Sequence, residues 1–302
     1  MIRYIHQGGH LKSITVYPIK SCGGFSVENW PLSPSGLLHD REWLLKSPSG
    51  EVLTQKKVPE MCRIRTSINL SRGVMFVESP RCEKKLEINF GHCYGSNEEM
   101  LLQYQRYEVQ GYDSDVDLWF TNAIGRPCCL LRCFASQFCF TKSDSVGICR
   151  DLKCKLNFVN EAQFLLISEA SVSDLNAKLS SKNKQKDYQG EPVHVDSMRF
   201  RPNLVITGAE PYEEDNWGSL TIGKAKFTSF GGCNRCEMIN LDPRSGQMQK
   251  SKEPLATLAS FRRVKGKILF GTLLRYEISG DNLRFEDIVH PQLQVGQTVH
   301  PW

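Results

Sequence analysis

The sequence predicts a mainly β protein with a few helices, an α+β chain in which strands dominate. Short apolar runs recur between clusters of Gly, Pro, Asp and Ser, the pattern of strands joined by turns. Helical spacing of apolar residues between recognisable caps is confined to three segments. The chain has 302 residues, enough to bury a large core.

Ile14, Val16 and Ile19 flank Tyr17-Pro18 and read as a strand that stops at the proline, which cannot donate to a ladder. Glu42 to Leu45, Ser47-Pro48-Ser49-Gly50 and Val52 to Thr54 read as a hairpin. The same grammar over Met238 to Leu241, Asp242 to Gly246 and Gln247-Met248 predicts another hairpin. Further strands are expected at Leu204–Thr207, at Leu220–Phe230 with a kink at Ile222-Gly223, and at Leu273–Ile278.

The first helix starts at Ser114, an N-cap with Asp117 completing a capping box, and ends at Gly125 ahead of Pro127. A second follows Ser168 and carries Val172, Leu175 and Leu179. A third begins at Pro254 and carries Leu255, Leu258 and Ala259. Ser79–Gln103 and Ser180–Ser197 are charged and weakly periodic, and read as solvated loops. A boundary near residues 140–155 divides the chain into 11–145 and 146–302.

Hydrophobic residues make up 40% and charged residues 24%, values of a soluble globular protein. The N-terminus lacks the apolar core of a signal peptide, and no apolar run approaches the ~20 residues of a membrane span. The twelve cysteines are therefore expected as reduced thiols of a cytoplasmic protein. A net charge of +5 suits an anionic small ligand or an acidic partner. No dense Lys/Arg block with interleaved aromatics marks a nucleic-acid surface.

Three segments carry anion chemistry. In Tyr17-Pro18-Ile19-Lys20-Ser21-Cys22-Gly23-Gly24 a strand end is followed by a lysine, a hydroxyl and paired glycines, the parts of a phosphate cradle. The plain alternative is a strand end with a surface lysine. Arg41 in Asp40-Arg41-Glu42-Trp43 and Arg201 in Arg199-Phe200-Arg201-Pro202-Asn203 are planar anion clamps, or members of local ion pairs.

Ser229 to Asn240 holds two glycines leading into Cys233-Asn234-Arg235-Cys236. Its interior guanidinium is expected to lower a thiol pKa and favour the thiolate. One Cys-x-x-Cys does not complete a structural zinc site, and no strand-to-helix junction supports a thioredoxin-like motif. A soft thiolate ligand for a metal carried by a cofactor, or a pair of inert cysteines, is left.

Tyr17 to Cys22, Gly36 to Trp43, Phe200 to Ile206 and Gly231 to Asn240 stand in the order seen in MOSC-domain proteins. The chain resembles that family from about Leu11 to about Val299, and within it the C-terminal region of the plant-type molybdenum cofactor sulfurases. The resemblance implies a MOSC-type β-barrel domain preceded by a smaller MOSC N-terminal β domain. It implies molybdenum cofactor (Mo-molybdopterin) as ligand, with Cys233 on the metal. Lys20, Ser21, Arg41, Arg201 and Asn203 match residues that hold the pterin and its phosphate. Asn160 and Glu161 fall at further pterin contacts of related proteins, with different residue types.

The implied activity is a platform for sulfuration of the cofactor, with Cys233 and Cys236 as the catalytic sulfurs. The implied partners are a cysteine desulfurase, fused or separate, as donor, and acceptors of the xanthine dehydrogenase and aldehyde oxidase type. Pyridoxal phosphate belongs to a desulfurase module that these residues do not contain. A molybdenum-dependent reductase of N-hydroxylated substrates and a non-catalytic cofactor carrier are the rival readings. No nucleic acid or membrane is expected as partner.

Overall fold

The computed structural model describes residues 8–102, 105–138, 156–183, 193–278 and 291–302. The first part of the chain forms β1 (His10–Val16), β2 (Phe25–Val27), β3 (Asn29–Ser33), β4 (Gly36–Leu37) and β5 (Trp43–Lys46). It continues through β6 (Arg65–Asn69), β7 (Val74–Glu78), β8 (Leu86–Asn89), β9 (Tyr94–Leu102), β10 (Gln105–Gly111), α1 (Ser114–Ile124) and β11 (Cys129–Phe138). The second part forms β12 (Phe164–Ser168), α2 (Glu169–Asn183), β13 (Leu204–Thr207), β14 (Ser219–Ile222) and β15 (Ala225–Asn234). It ends with α3 (Leu255–Phe261), β16 (Arg263–Val264), β17 (Lys267–Glu277), β18 (Gln292–Gln294) and β19 (Val299–Pro301).

The largest sheet runs β19-β14-β15-β17-β12-β13-β1-β2, with β16 attached to β17. Its two ends meet. His10 of β1 bridges Thr298, and the Leu11 and Val299 amides donate to Gln297 and Gly9 carbonyls at 2.9 and 2.8 Å. The path thus closes into a barrel, which leaves no free edge between β1 and β19. Strands β12 and β13 are parallel and are joined by α2, the crossover that parallel neighbours require.

Alternation along the barrel strands fills its interior. Ile14, Val16, Phe164, Leu166, Leu204 and Ile206 point in, with Leu220, Ile222, Phe227 and Leu274 from the other strands. Leu165 and Ile167 of β12 point out and pack under α2 and α3 with Leu175, Leu179 and Leu258. β12 therefore reads as one continuous apolar run, because both of its faces are covered.

A second body carries the sheet β5-β11-β10-β9 and the sheet β6-β7-β8. Its main core joins Trp43, Leu45, Met61, Met75, Phe120 and Leu130. The two parts are interlaced rather than sequential, since β1 and β2 lie in the barrel sheet and β3 pairs with β18. Residues 139–155, which hold most of the expected boundary and Cys139, Cys149 and Cys154, lie outside the described residues.

Several expectations need correction. Ser79–Gln103 contains β8 and β9. These are sheet-edge strands with charged outward faces, such as Glu98 paired to Lys46, and edge charge mimics loop composition. Of Ser180–Ser197, residues to Asn183 belong to α2, Val193 and Val195 are buried, and 184–192 lie outside the described residues. Helix α1 is capped by Asp113, whose carboxylate accepts from the Val116 amide, while Asp117 turns to the Leu130 amide.

The turn at Ser47–Gly50 forms, but its second arm is reduced to the bridge of Lys46 with Val52, and β5 pairs along β11 instead. Where Met238–Leu241 was expected as a strand, Glu237–Asn240 makes one turn of 3₁₀ helix that buries Ile239 and Asn240. The kink at Ile222-Gly223 is the tight turn between β14 and β15, with Gly223 at φ +57°.

Inside the barrel Phe227 meets Phe164 edge-on at 5.3 Å and Tyr276 at 5.9 Å. Phe227→Ala is expected to lower unfolding free energy by about 3–5 kcal/mol, measured by urea denaturation.

Candidate functional site

Beyond β1 the chain zips onto the segment before β5. The Tyr17 amide donates to the Asp40 carboxylate at 2.8 Å, Arg41 N–H to the Tyr17 carbonyl at 2.7 Å, and Lys20 N–H to the Trp43 carbonyl at 2.8 Å. Asp40 is buried and also accepts from the Arg41 guanidinium at 2.5 Å. Burial pushes its carboxyl upward, against the pull of Arg41 and the Tyr17 amide.

Tyr17 is the post on which two cations rest. The guanidinium of Arg41 lies 4.3 Å from the ring centroid and that of Arg201 lies 4.4 Å from it. Its hydroxyl is pushed up to about 12, mainly by burial, with both arginines opposing. Lys20 stands close by, donating to the Phe158 carbonyl at 2.8 Å and the Asn160 side chain at 2.5 Å. Its ammonium is lowered to about 7 by burial first, then by repulsion from Arg41 and Arg201.

Ser21, Arg41 and Arg201 are three of the seven non-glycine residues with left-handed backbones among the described residues, at φ +69°, +48° and +57°. Such conformations cost free energy and gather at functional sites. Neither the Ser21 hydroxyl nor the Arg201 guanidinium has a hydrogen-bond partner among the described residues. The glycines that follow play another part. The Gly23 amide is taken by the Ile64 carbonyl at 2.8 Å, and a Cβ on Gly24 would lie 2.5 Å from the Val16 carbonyl. Gly24 thus allows close packing, and the Gly23 amide is not offered to an anion.

Cys233 lies where β15 pairs irregularly with β17, half-buried, with Glu161 Oε2 at 4.0 Å from its Sγ. Burial raises its thiol pKa, and Arg235 opposes this while Glu161 and Cys236 add to it. The expected lowering by the interior arginine is therefore outweighed by desolvation. Arg235 is itself buried, donating to the Phe270 carbonyl at 2.8 Å and the Phe200 carbonyl at 3.2 Å, and its Nη2 has no partner. Cys236 is exposed. Burial raises Glu161, with Arg235 and Lys267 opposing.

The structure brings the sequence-derived residues together through short links. Arg41 Nη2 donates to the Arg201 carbonyl at 3.3 Å, one residue beyond the carbonyl held by Arg235. Asn160, bonded to Lys20, is followed by Glu161, which faces Cys233. Asn203 joins this set through Asp40, to which its side chain is hydrogen-bonded; buried, it also holds the Leu165 amide and the Thr15 carbonyl, so it braces β1 and β12 from behind. Sequence reasoning gave no site role to Tyr17 or Asp40. The available signal was proximity, Asp40 standing next to Arg41 and Tyr17 three residues before Lys20.

Among the described residues no three His, Cys, Asp or Glu side chains converge as a metal site, and Cys233 and Cys236 are free thiols. No helix among them is long and apolar enough to cross a membrane.

Residues 8–127 match the MOSC N-terminal beta barrel domain and residues 153–300 match the MOSC domain. The chain belongs to the MOSC-domain family. It is 55% identical to molybdenum cofactor sulfurase of Solanum lycopersicum over 96% of its length, and 57% identical to that of Oryza sativa subsp. japonica over 97%. Molybdenum cofactor sulfurase of Homo sapiens is 31% identical over 82% of the chain. This MOSC chain spans about a third of those relatives, 35%, 35% and 29% respectively.

The Lys20 charge has a stability consequence with a definite sign. Its folded pKa of about 7 lies below the unfolded value near 10.5, so the unfolded chain binds more protons between them. The destabilisation is full below pH 7 and fades as pH rises toward 10.5. Lys20→Met is therefore expected to gain stability relative to the native protein at pH 6, with the difference shrinking by pH 9–10 in urea titrations.

Proposed function

We propose that this MOSC chain binds molybdenum cofactor and presents it for sulfuration. The carrying observation is a half-buried thiol, Cys233, beside a group of cations with too few anions to balance them. The residues fit such a ligand on three counts. A thiol is a soft donor suited to molybdenum. Lys20 has its ammonium lowered by burial and then by repulsion from Arg41 and Arg201, and Arg235 carries a buried N–H without an acceptor.

In this reading Lys20, Ser21, Arg41 and Arg201 hold the phosphate and pterin, Asn160 and Glu161 border them, and Asn203 fixes the backbone behind. Cys233 holds the metal, after its proton passes to a neighbour such as Glu161. The bound cofactor is the substrate, and supplies the molybdenum on which an oxygen ligand is exchanged for sulfide. A donor persulfide brings sulfur at the sulfane level, two electrons above sulfide, so the exchange consumes a thiol reductant and releases water. In this reading Cys236, exposed and three residues from Cys233, meets that donor. The donor is a pyridoxal-phosphate cysteine desulfurase, and the acceptors are molybdenum hydroxylases of the xanthine dehydrogenase and aldehyde oxidase type.

Protein purified from cells that make the cofactor is expected to yield fluorescent oxidised pterin and molybdenum. Cys233→Ser is expected to lose molybdenum while keeping pterin, and Arg201→Ala to weaken pterin binding by about 1.5–3 kcal/mol. Stoichiometric zinc without pterin, or loss of metal in Cys236→Ser alone, overturns the assignment.

Supplied with a desulfurase and reductant, the bound cofactor is expected to gain cyanide-releasable sulfur and to reactivate a desulfo molybdenum hydroxylase. Rapid reduction of an N-hydroxylated substrate without labile sulfur would establish the reductase reading instead. Firm binding with neither activity would establish a carrier.

A further inference from the structure

A cavity of about 340 Å³ opens beside Tyr17 and is lined by Arg63, Arg65, Arg199, Arg201 and Arg244. Met238 and Leu241 supply apolar surface on its wall. Carboxylates are few: Asp196 lines the cavity and is bonded to Arg244 at 3.0 Å, and Asp242 lies 3.9 Å from Arg199. Arg63, Arg65 and Arg201 form no ion pair among the described residues.

Arg199 sets this cavity apart from an ordinary basic surface. Its side chain is only 7% exposed, yet its Nη1 has no hydrogen-bond partner. A buried guanidinium N–H without an acceptor is costly unless a ligand supplies one. Burial also lowers its pKa, against the pull of Asp242 and Asp196. None of Arg63, Arg65, Arg199 and Arg244 contacts Lys20, Arg41 or Cys233 through a hydrogen bond, so Tyr17 and Arg201 form the boundary between two cationic regions.

We propose that this cavity is a second oxyanion site, separate from the Lys20 and Arg41 cradle, and that it takes the phosphate of a small phosphorylated molecule. Arg199 bonds the phosphate at depth, Arg63 and Arg65 neutralise it at the mouth, and the organic part lies on Met238 and Leu241. An acidic peptide passing over the surface would meet the exposed arginines but not the buried Nη1 of Arg199. A compact anion reaches it. This site goes beyond the cofactor reading and stands without it.

The test uses inorganic phosphate, with chloride at matched ionic strength as control, in calorimetry and thermal unfolding. Lys20→Met provides a background in which the cradle is weakened. Phosphate is expected to bind and to raise the melting temperature in that background, and to bind at least tenfold more weakly once Arg199→Met is added. Arg199→Met alone is expected to fold with an unchanged or higher ligand-free melting temperature, since it removes a buried N–H that has no acceptor, and to retain its pterin. If Arg199→Met does not fold, Arg65→Met at the mouth is expected to weaken phosphate severalfold.

Loss of phosphate binding in Lys20→Met alone would place the ion in the cradle and overturn the proposal. So would binding no stronger than that of chloride, or a glutamate-rich peptide that binds while phosphate does not. Loss of pterin from Arg199→Met would make the cavity part of the cofactor site and overturn its separateness. Absence of pterin from every variant would count against the cofactor reading and leave the phosphate result to stand by itself.

Discussion

Two guanidiniums hold the site together by gripping neighbouring carbonyls. Arg235 takes that of Phe200 and Arg41 takes that of Arg201, so the loop of Cys233 and the segment before β5 meet on one short turn. The turn has little freedom. Asp196 caps it, Arg201 leaves it in a left-handed conformation, and Pro202 follows. Removing either grip would leave a carbonyl unpaired and release one side of the site from the other.

The arrangement concentrates like charge, and aromatic contact offsets part of the repulsion. Tyr17 lies between Arg41 and Arg201, each contact being worth roughly 0.5–2 kcal/mol. The barrel core supplies the rest of the restraint. Ile14 and Val16, just ahead of Tyr17, are fully buried beside Leu204, just after Asn203, so the cationic segments grow from two rigid adjacent strands. Functional groups mounted in this way keep their positions even when mutual repulsion favours separation.

Much of this was legible in the sequence, for physical reasons that differ by element. Strand β13 and helix α2 declared themselves because burial demands apolar residues in runs and periods that match each element. Arg41 and Arg201 stood out as candidate clamps because a guanidinium beside a strand end has few uses, and for Arg41 the local ion pair with Asp40 that the sequence also allowed is formed. The 3₁₀ turn after Cys236 was hidden, since its apolar residues serve a helical turn and a strand equally well. Edge strands β8 and β9 were hidden by the charges that protect them. The balance at Cys233 was unreadable, because Arg235 beside it is visible in the sequence while the desolvation that outweighs it comes from distant residues.

The closure of the barrel through His10 and Thr298 gives the chain a particular order of assembly. Strand β1 and its partner β2 are made well before β13 and β19. Until β13 and the Thr298 segment emerge, β1 keeps unpaired hydrogen-bonding groups and the barrel interior lacks a wall. Contacts so distant in sequence slow folding and lengthen the exposure of partly formed sheets. The segment that matches the MOSC domain by itself lacks that wall as well, because it is supplied by the segment that matches the N-terminal domain. The two are separable as sequence matches, yet as a physical object the barrel is the joint property of both.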